Sequence, residues 1–455
     1  MSVYFRPRFH LAPPSGRLND PNGLYVEDGV LHAYYQHDPQ WPTAEKRTGW
    51  GHASTPLLSD KPELWTHHPD ALYPTVDYDD KGCYSGSAVL VNGELELFYT
   101  GNAKPGGHRR ATQNIVHVGG RRRADGGTYL RSERNPLIDG PAPGFTNHYR
   151  DPHVLWREDH WLMVLGAQRD DETGSVVLYT SEDRRAWDYA GEIQFGTSSA
   201  VPGGAPDMIP GGYMWECPNL VTLRDDVTGE DMDVLIVLPQ GLEQVGDHYA
   251  NNHQCGYVVG HLQGTTFTVS RGFTELDYGH EFYAPQVVHG SQPPLMLGWM
   301  GLPDLDDQPT RQDGWVHTLT VARELHLSDG VLRQVPRASI SSNNADSDLE
   351  VGTSFEWSGE MPPGSELVLV DTAGDAVARL SVNGNVVELD RQDQQYHAGG
   401  DVRRACLRGV TSAVDVRVLV DASCLEIFID EGRISFASRI FPRHEPNECI
   451  VRVLT

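Results

Sequence analysis

The chain has 455 residues, 39% of them hydrophobic and 22% charged, with a formal net charge of −27. That length exceeds one compact core, so two domains are expected in a chain of ordinary globular composition. The charge disfavours nucleic acid and anionic membrane surfaces, and no apolar run is long enough to span a bilayer. A small neutral partner is expected instead.

Residues Met1 to His10 carry arginines but no apolar stretch of signal-peptide length. The six cysteines (Cys83, Cys217, Cys255, Cys406, Cys424, Cys449) lie far apart with no C-x-x-C pair. Reduced, mostly buried thiols and a cytoplasmic protein are the expectation. The 20 histidines show no compact metal-ligand spacing, so neither metal nor cofactor is assigned. The pair His67-His68 is expected on a solvated loop.

Short β-patterned runs separated by Gly, Pro, Asn and Asp fill the chain, which predicts an all-β fold. Two-residue turns predict hairpins at Leu24 to Gln36 around Asp28-Gly29, and at Ala88 to Thr100 around Asn92-Gly93. A third falls at Val154 to Leu165 around Glu158-Asp159. Each unit opens on Pro or Gly and enters an apolar strand. The openings at Pro21, Gly86, Pro152, Pro218 and Pro285 are 65, 66, 66 and 67 residues apart. A five-fold repeat of this length suits one four-stranded propeller blade per repeat, so residues 1–337 are expected to form a five-bladed β-propeller. The polar run 338–348 reads as a linker. Alternating strands at Glu366 to Val370, Val414 to Val420 and Cys424 to Ile429 predict a β-sandwich over 349–455.

Inner strands of a propeller line its central channel, so residues just before them share one mouth. Asp20, Asp151 and Glu216 sit beside the openings of blades one, three and four, while Tyr84-Ser85 and Tyr283-Ala284 mark blades two and five. Three carboxylates in one pocket repel each other, which is costly in a purely structural role. Two readings follow: a cation site of oxygen ligands, or a glycosidase with nucleophile and proton donor.

At these residues the chain resembles glycoside hydrolase family 32, the invertases, inulinases, levanases and fructosyl transferases. Leu18-Asn19-Asp20-Pro21-Asn22-Gly23 is similar to the family's N-terminal motif, Tyr149-Arg150-Asp151-Pro152 to its R-D-P motif, and Trp215-Glu216-Cys217-Pro218 to its E-C-P motif. Asp421-Ala422-Ser423-Cys424-Leu425-Glu426-Ile427-Phe428 resembles the signature of its sandwich. The resemblance implies the same propeller and sandwich, and a retaining β-fructofuranosidase acting on sucrose and short fructooligosaccharides. It implies Asp20 as nucleophile, Asp151 as transition-state stabiliser and Glu216 as acid/base. Asn19, Gln36, Trp41, Tyr84, Ser85, Arg150 and Trp299 resemble sugar-binding positions. His37-Asp38 before Pro39, the early Trp41 and Tyr84 in place of Phe depart from the family pattern at the substrate rim.

Retention requires Asp20 and Glu216 carboxyls roughly 5 to 5.5 Å apart. Glu216 must start protonated, and its neighbours Trp215 and Cys217 are expected to raise its pKa by desolvation. Arg150 is expected to neutralise part of the triple charge. The global charge argues against a phosphorylated sugar unless a local arginine cluster overrules it. An arabinofuranosidase, a fructosyl transferase and a non-enzymatic fructan-binding protein are the competing readings.

Overall fold

The computed structural model describes residues 5–337, 349–444 and 449–454, apart from positions 45, 58–63, 122–125, 252, 353 and 408–412. The expected linker at 338–348 lies outside the described residues. Strands between Gly16 and Pro336 form five sheets of four or five strands each. These are the five blades of a propeller. Their inner strands are Gly16–Glu27, Gly82–Val91, Phe145–Arg157, Met214–Arg224 and Tyr283–Val287. Within the first four blades the main strands pair in chain order, and tight turns join the inner strand to the next in blades one and two. Asp28, Gly29, Asn92 and Gly93 all take the positive φ that such turns require. The ring closes where Trp315–Val316, beyond the inner strand of blade five, pairs in parallel with Gly16 and Arg17 of blade one.

Every inner strand carries one extra residue at the same height. Leu18 and Pro21 face His37 and Tyr35, and the same three-against-two register recurs at Cys83/Gly86, Arg150/His153, Glu216/Asn219 and Tyr283/Gln286. This bulge bends the strand and re-aims the two unpaired side chains. Asp151, Cys217 and Ala284 take φ of 69°, 41° and 45° there, left-handed values that a regular strand does not contain.

The acids therefore lie at a bulge inside the inner strands rather than before them. Their prolines read as strand starts because proline cannot donate to a ladder, but a bulge needs no ladder bond at that point either. Just beyond each bulge, side chains tie one blade to the next. Ser87 Oγ donates to Pro152 O (2.8 Å) and accepts from Val154 N (3.0 Å). His153 Nδ1 accepts from Leu220 N (3.1 Å), Asn219 Oδ1 from Val287 N (3.0 Å), and Gln286 Oε1 from Leu24 N (3.1 Å). Backbone groups that the bulges release are satisfied across blades.

Beyond the propeller, a six-stranded and a four-stranded antiparallel sheet form the β-sandwich. The expected strands occur as Glu366–Asp371, Val414–Asp421 and Cys424–Ile429. Val416, Val418 and Val420 are buried while Asp415 is exposed, the alternation of a strand with one face on a core. A buried polar cluster joins the two parts. Arg323 of blade five donates to Glu426 Oε2 of the sandwich (2.6 and 3.0 Å) and to Asp277 (2.9 Å). His10 bridges Asp421 (3.0 Å) and Glu426 (2.9 Å), and the Asp421 carboxylate caps the N–H groups of Arg8, Phe9 and His10.

His67 and His68 lie in the strand Thr66–Leu72, not on a loop. His68 bonds Ser54 Oγ at 2.8 Å and packs 4.4 Å from the His52 ring. Among the described residues no helix is long and apolar enough to cross a membrane.

Candidate active site

The bulges bring Asp20, Asp151 and Glu216 to one mouth of the channel. Cys217 joins the acids of blades one and three: its N–H donates to Asp151 Oδ2 (3.0 Å) and its Sγ lies 3.9 Å from Asp20 Oδ2. Asp151 is fixed from below as well, with its N–H on Thr100 Oγ1 at 2.9 Å.

Asp20 closes a ring of neutral hydrogen bonds. Asn19 Nδ2 donates to Asp20 Oδ1 (3.0 Å) and to Gln36 Oε1, Gln36 Nε2 donates to Ser85 Oγ (2.8 Å), and Ser85 Oγ donates to Asp20 Oδ2. Arg17 anchors the ring, donating to Asn19 Oδ1 (2.8 Å) and to both oxygens of Asp306 (2.9 and 3.0 Å). Burial raises the Asp20 pKa above the ordinary carboxylate value, with the Ser85 and Asn19 hydrogen bonds working against the rise.

Glu216 lies in a different field. Arg150 donates to Oε1 from Nε (3.0 Å) and Nη2 (2.6 Å), while Tyr283 Oη and Gln240 Nε2 each donate to Oε2 at 2.6 Å. Burial pushes its pKa up, but Arg150 and the Tyr283 hydroxyl outweigh burial and hold the carboxyl below its usual value. The expected rise through Trp215 and Cys217 is thus overturned, because a paired guanidinium favours the ionised form more than apolar neighbours disfavour it. Asp151, 3.8 Å from Arg150 Nε, goes the other way: burial, with Glu216 adding to it, raises its pKa despite Arg150.

The remaining expected contacts divide. Asn19, Gln36, Ser85 and Arg150 lie in these networks. Trp41 and Tyr84 are half-buried at the rim, Trp41 with the Arg311 guanidinium 5.7 Å from its ring. Trp299 is only 2% exposed; Arg17 covers its face at 5.2 Å and Tyr283 and His317 meet its edges. It packs beneath the Arg17 network. Arg17, Thr100 and Gln240 went unread in the sequence. Arg17 alone had a signal, since it lies two residues before Asn19 and strand periodicity puts both on one face.

Among the described residues, one group of metal-capable side chains lies close together: Asp371, Asp375 and His444 of the sandwich. Asp371 is already engaged there by His444 Nδ1 (2.9 Å) and the N–H groups of Ala373 and Asp375.

The N-terminal domain model of glycosyl hydrolases family 32 matches residues 10–336, and the family's C-terminal model matches 376–452. The chain belongs to glycoside hydrolase family 32. Among its relatives in the family, a sucrose-6-phosphate hydrolase of Klebsiella pneumoniae is 38% identical over 447 residues, covering 96% of this chain and 88% of that protein. One of Bacillus subtilis is 34% identical over 96% of this chain and 89% of its own length. The solved sucrose-6-phosphate hydrolase of Lactobacillus gasseri superimposes with a TM-score of 0.82 at 27% identity, over 99% of this chain and 91% of that one. The family 32 β-fructofuranosidase of Bombyx mori gives a TM-score of 0.77 at 30% identity, over 100% and 92%. This family 32 chain is a glycoside hydrolase with the five-bladed propeller and sandwich of its relatives.

Proposed function

We propose that the protein is a retaining β-fructofuranosidase that releases terminal β-D-fructofuranosyl groups from sucrose and short fructosides. The carrying observation is the contrast between two carboxylates at one mouth. Asp20 is held by neutral donors alone, whereas Glu216 is clamped by a cation and a phenol.

Asp20 attacks the anomeric carbon as the glycosidic C–O bond breaks, and Glu216 gives its proton to the leaving oxygen. In the second step Glu216 takes a proton from water, the water oxygen attacks the same carbon, and the ester to Asp20 is released. Asp151 accepts hydrogen bonds from ring hydroxyls that strengthen as positive charge grows. Those bonds favour ionised Asp151, so sugar binding shifts the proton of the acid cluster toward Glu216, where the first step needs it.

The relatives bear the name sucrose-6-phosphate hydrolase, which supports sucrose carrying a 6-phosphate as a substrate beside sucrose itself. Activity falls with fructan chain length on this reading. We place the reaction in the cytoplasm, a reading supported by free Cys83, Cys217, Cys255, Cys406 and Cys424. The catalytic unit is assigned to residues 1–337 and the sandwich to 349–455.

Product analysis on sucrose, phosphorylated sucrose, short inulin-type oligosaccharides and levan tests the proposal, with NMR of the first product. Fructose released first as the β-anomer is expected. Release of the α-anomer, or no fructose from any substrate, contradicts it.

A further inference from the structure

Glu216 protonates the leaving oxygen in the proposed reaction, so the leaving sugar must lie on the Glu216 side of the mouth, away from Asp20. Three basic side chains gather on that side. Arg150 is taken up by Glu216. Its Nη1 also donates to His148 Nδ1 at 3.2 Å. An arginine can only donate, so His148 is the neutral tautomer with its proton on Nε2.

The third is Arg109, which ends the loop between the strands Glu94–Ala103 and Arg110–Gly119. Thr100, near the mouth end of the first of these strands, holds the N–H of Asp151. The second strand begins at the same end, where Ala111 N bonds Asn147 Oδ1 at 3.3 Å, beside His148. Arg109 and His148 are therefore rim neighbours, and Arg109 contributes to keeping the His148 pKa low, at about 4, behind burial and Arg150. Arg110 pairs with Asp139, but among the described residues Arg109 has no ion-pair partner and is half-buried.

We propose that Arg109 and His148 form the receptor for a phosphate carried on the leaving hexose. This rests on the fructosidase reading above. Arg109 supplies a charge in a planar fork and His148 an Nε2–H donor, the pairing that a phosphate's oxygens accept. A local cation beside the acid overrules the global charge of −27, because field strength at the rim is set by the nearest groups. The dianion has a second effect. Close to Arg150 it offsets the cation that keeps Glu216 ionised, and so favours the protonated acid.

The test compares kcat/KM on sucrose phosphorylated at the glucose 6-position with that on plain sucrose, in the full-length protein and three variants. The phosphorylated substrate should be favoured by about 10- to 100-fold, the scale of charge-assisted hydrogen bonds. Arg109→Gln should collapse this ratio and Arg109→Lys should keep part of it. The alkaline limb of the wild-type profile should sit at higher pH with the phosphorylated substrate. Product inhibition gives a second reading: glucose 6-phosphate should inhibit more tightly than glucose, and Arg109→Gln should erase the difference.

A ratio near one in the wild type overturns the proposal but leaves the fructosidase reading standing. So does a ratio unchanged in Arg109→Gln, or one lost instead in Lys46→Gln, since Lys46 lies in the field of Arg17, Asp306 and Asp20 and its loss would place the phosphate on the Asp20 side. No fructose from either substrate defeats both readings.

Discussion

Arg150 Nη2 lies 2.6 Å from Glu216 Oε1, and its Nε reaches the same oxygen at 3.0 Å. The site thus favours the ionised form of its proposed acid. Removing the cation as Arg150→Gln leaves burial opposed chiefly by the Tyr283 and Gln240 hydrogen bonds, so the Glu216 pKa rises. The alkaline limb of kcat/KM should move to higher pH, and its maximum should fall about 10²- to 10³-fold as transition-state charge loses its partner. A pH–rate profile checks both. An unmoved limb would separate Arg150 from the acid.

Ser85 makes the opposite case at the proposed nucleophile. Its hydroxyl donates to Asp20 Oδ2, which favours the carboxylate. Ser85→Ala removes that donor and raises the Asp20 pKa further. Because Asp20 acts ionised in the proposed mechanism, the acidic limb should shift to higher pH, with kcat/KM down about 10- to 100-fold. Ser85→Thr, which keeps the hydroxyl, should recover part of the loss.

Arg17 touches no reacting atom in this account; it positions Asn19 and, through it, Asp20. Arg17→Gln should lower kcat by about 10- to 100-fold with a smaller change in KM, the pattern of a misplaced catalytic group. Asp306→Asn should produce a milder version, since it frees Arg17 without removing it. Equal losses in KM alone would assign Arg17 to binding.

The cluster joining propeller to sandwich makes a stability prediction. Glu426→Ala takes one of two carboxylates from both Arg323 and His10 and leaves Asp277 and Asp421 as their remaining partners, so the loss, readable by denaturant unfolding, should stay below the about 3–5 kcal/mol that stranding a buried charge typically costs. His10 has a folded pKa raised to about 10, where Cys424, Asp421 and Glu426 outweigh burial. Its contribution is complete below the unfolded value of about 6.5 and is lost as pH rises through 10. The unfolding free energy should therefore fall between these values, and His10→Gln should flatten the slope.

Much of this architecture was legible in the sequence. Offsets of 65 to 67 residues exposed the five blades, and Asp28-Gly29 and Asn92-Gly93 marked their hairpins, because these features are local in the chain. The acids could be grouped because repeat geometry turns equal spacing into proximity. The bulges were hidden: a proline in a bulge and a proline before a strand look alike in one sequence. The charge states were hidden too. Arg150 stands next to Asp151 in the chain, but its two bonds to Glu216 depend on the bulges of blades three and four facing each other. The sandwich signature was visible as a string, whereas its work, Asp421 capping residues 8–10 and Glu426 holding Arg323, joins segments hundreds of residues apart.

The central claim is that Asp20 and Glu216 divide the reaction between them, and rescue of Glu216→Gln tests it most directly. With sucrose this variant lacks the proton its leaving group needs, a loss of about 10²- to 10⁴-fold. With an activated aryl fructoside the leaving group departs unaided, and deglycosylation becomes limiting because the base is missing too. Added azide should then accelerate turnover and yield β-fructosyl azide, while Asp20→Asn remains inactive with or without it. Equal impairment of Glu216→Gln on both substrates, with no fructosyl azide formed, would contradict the assignment.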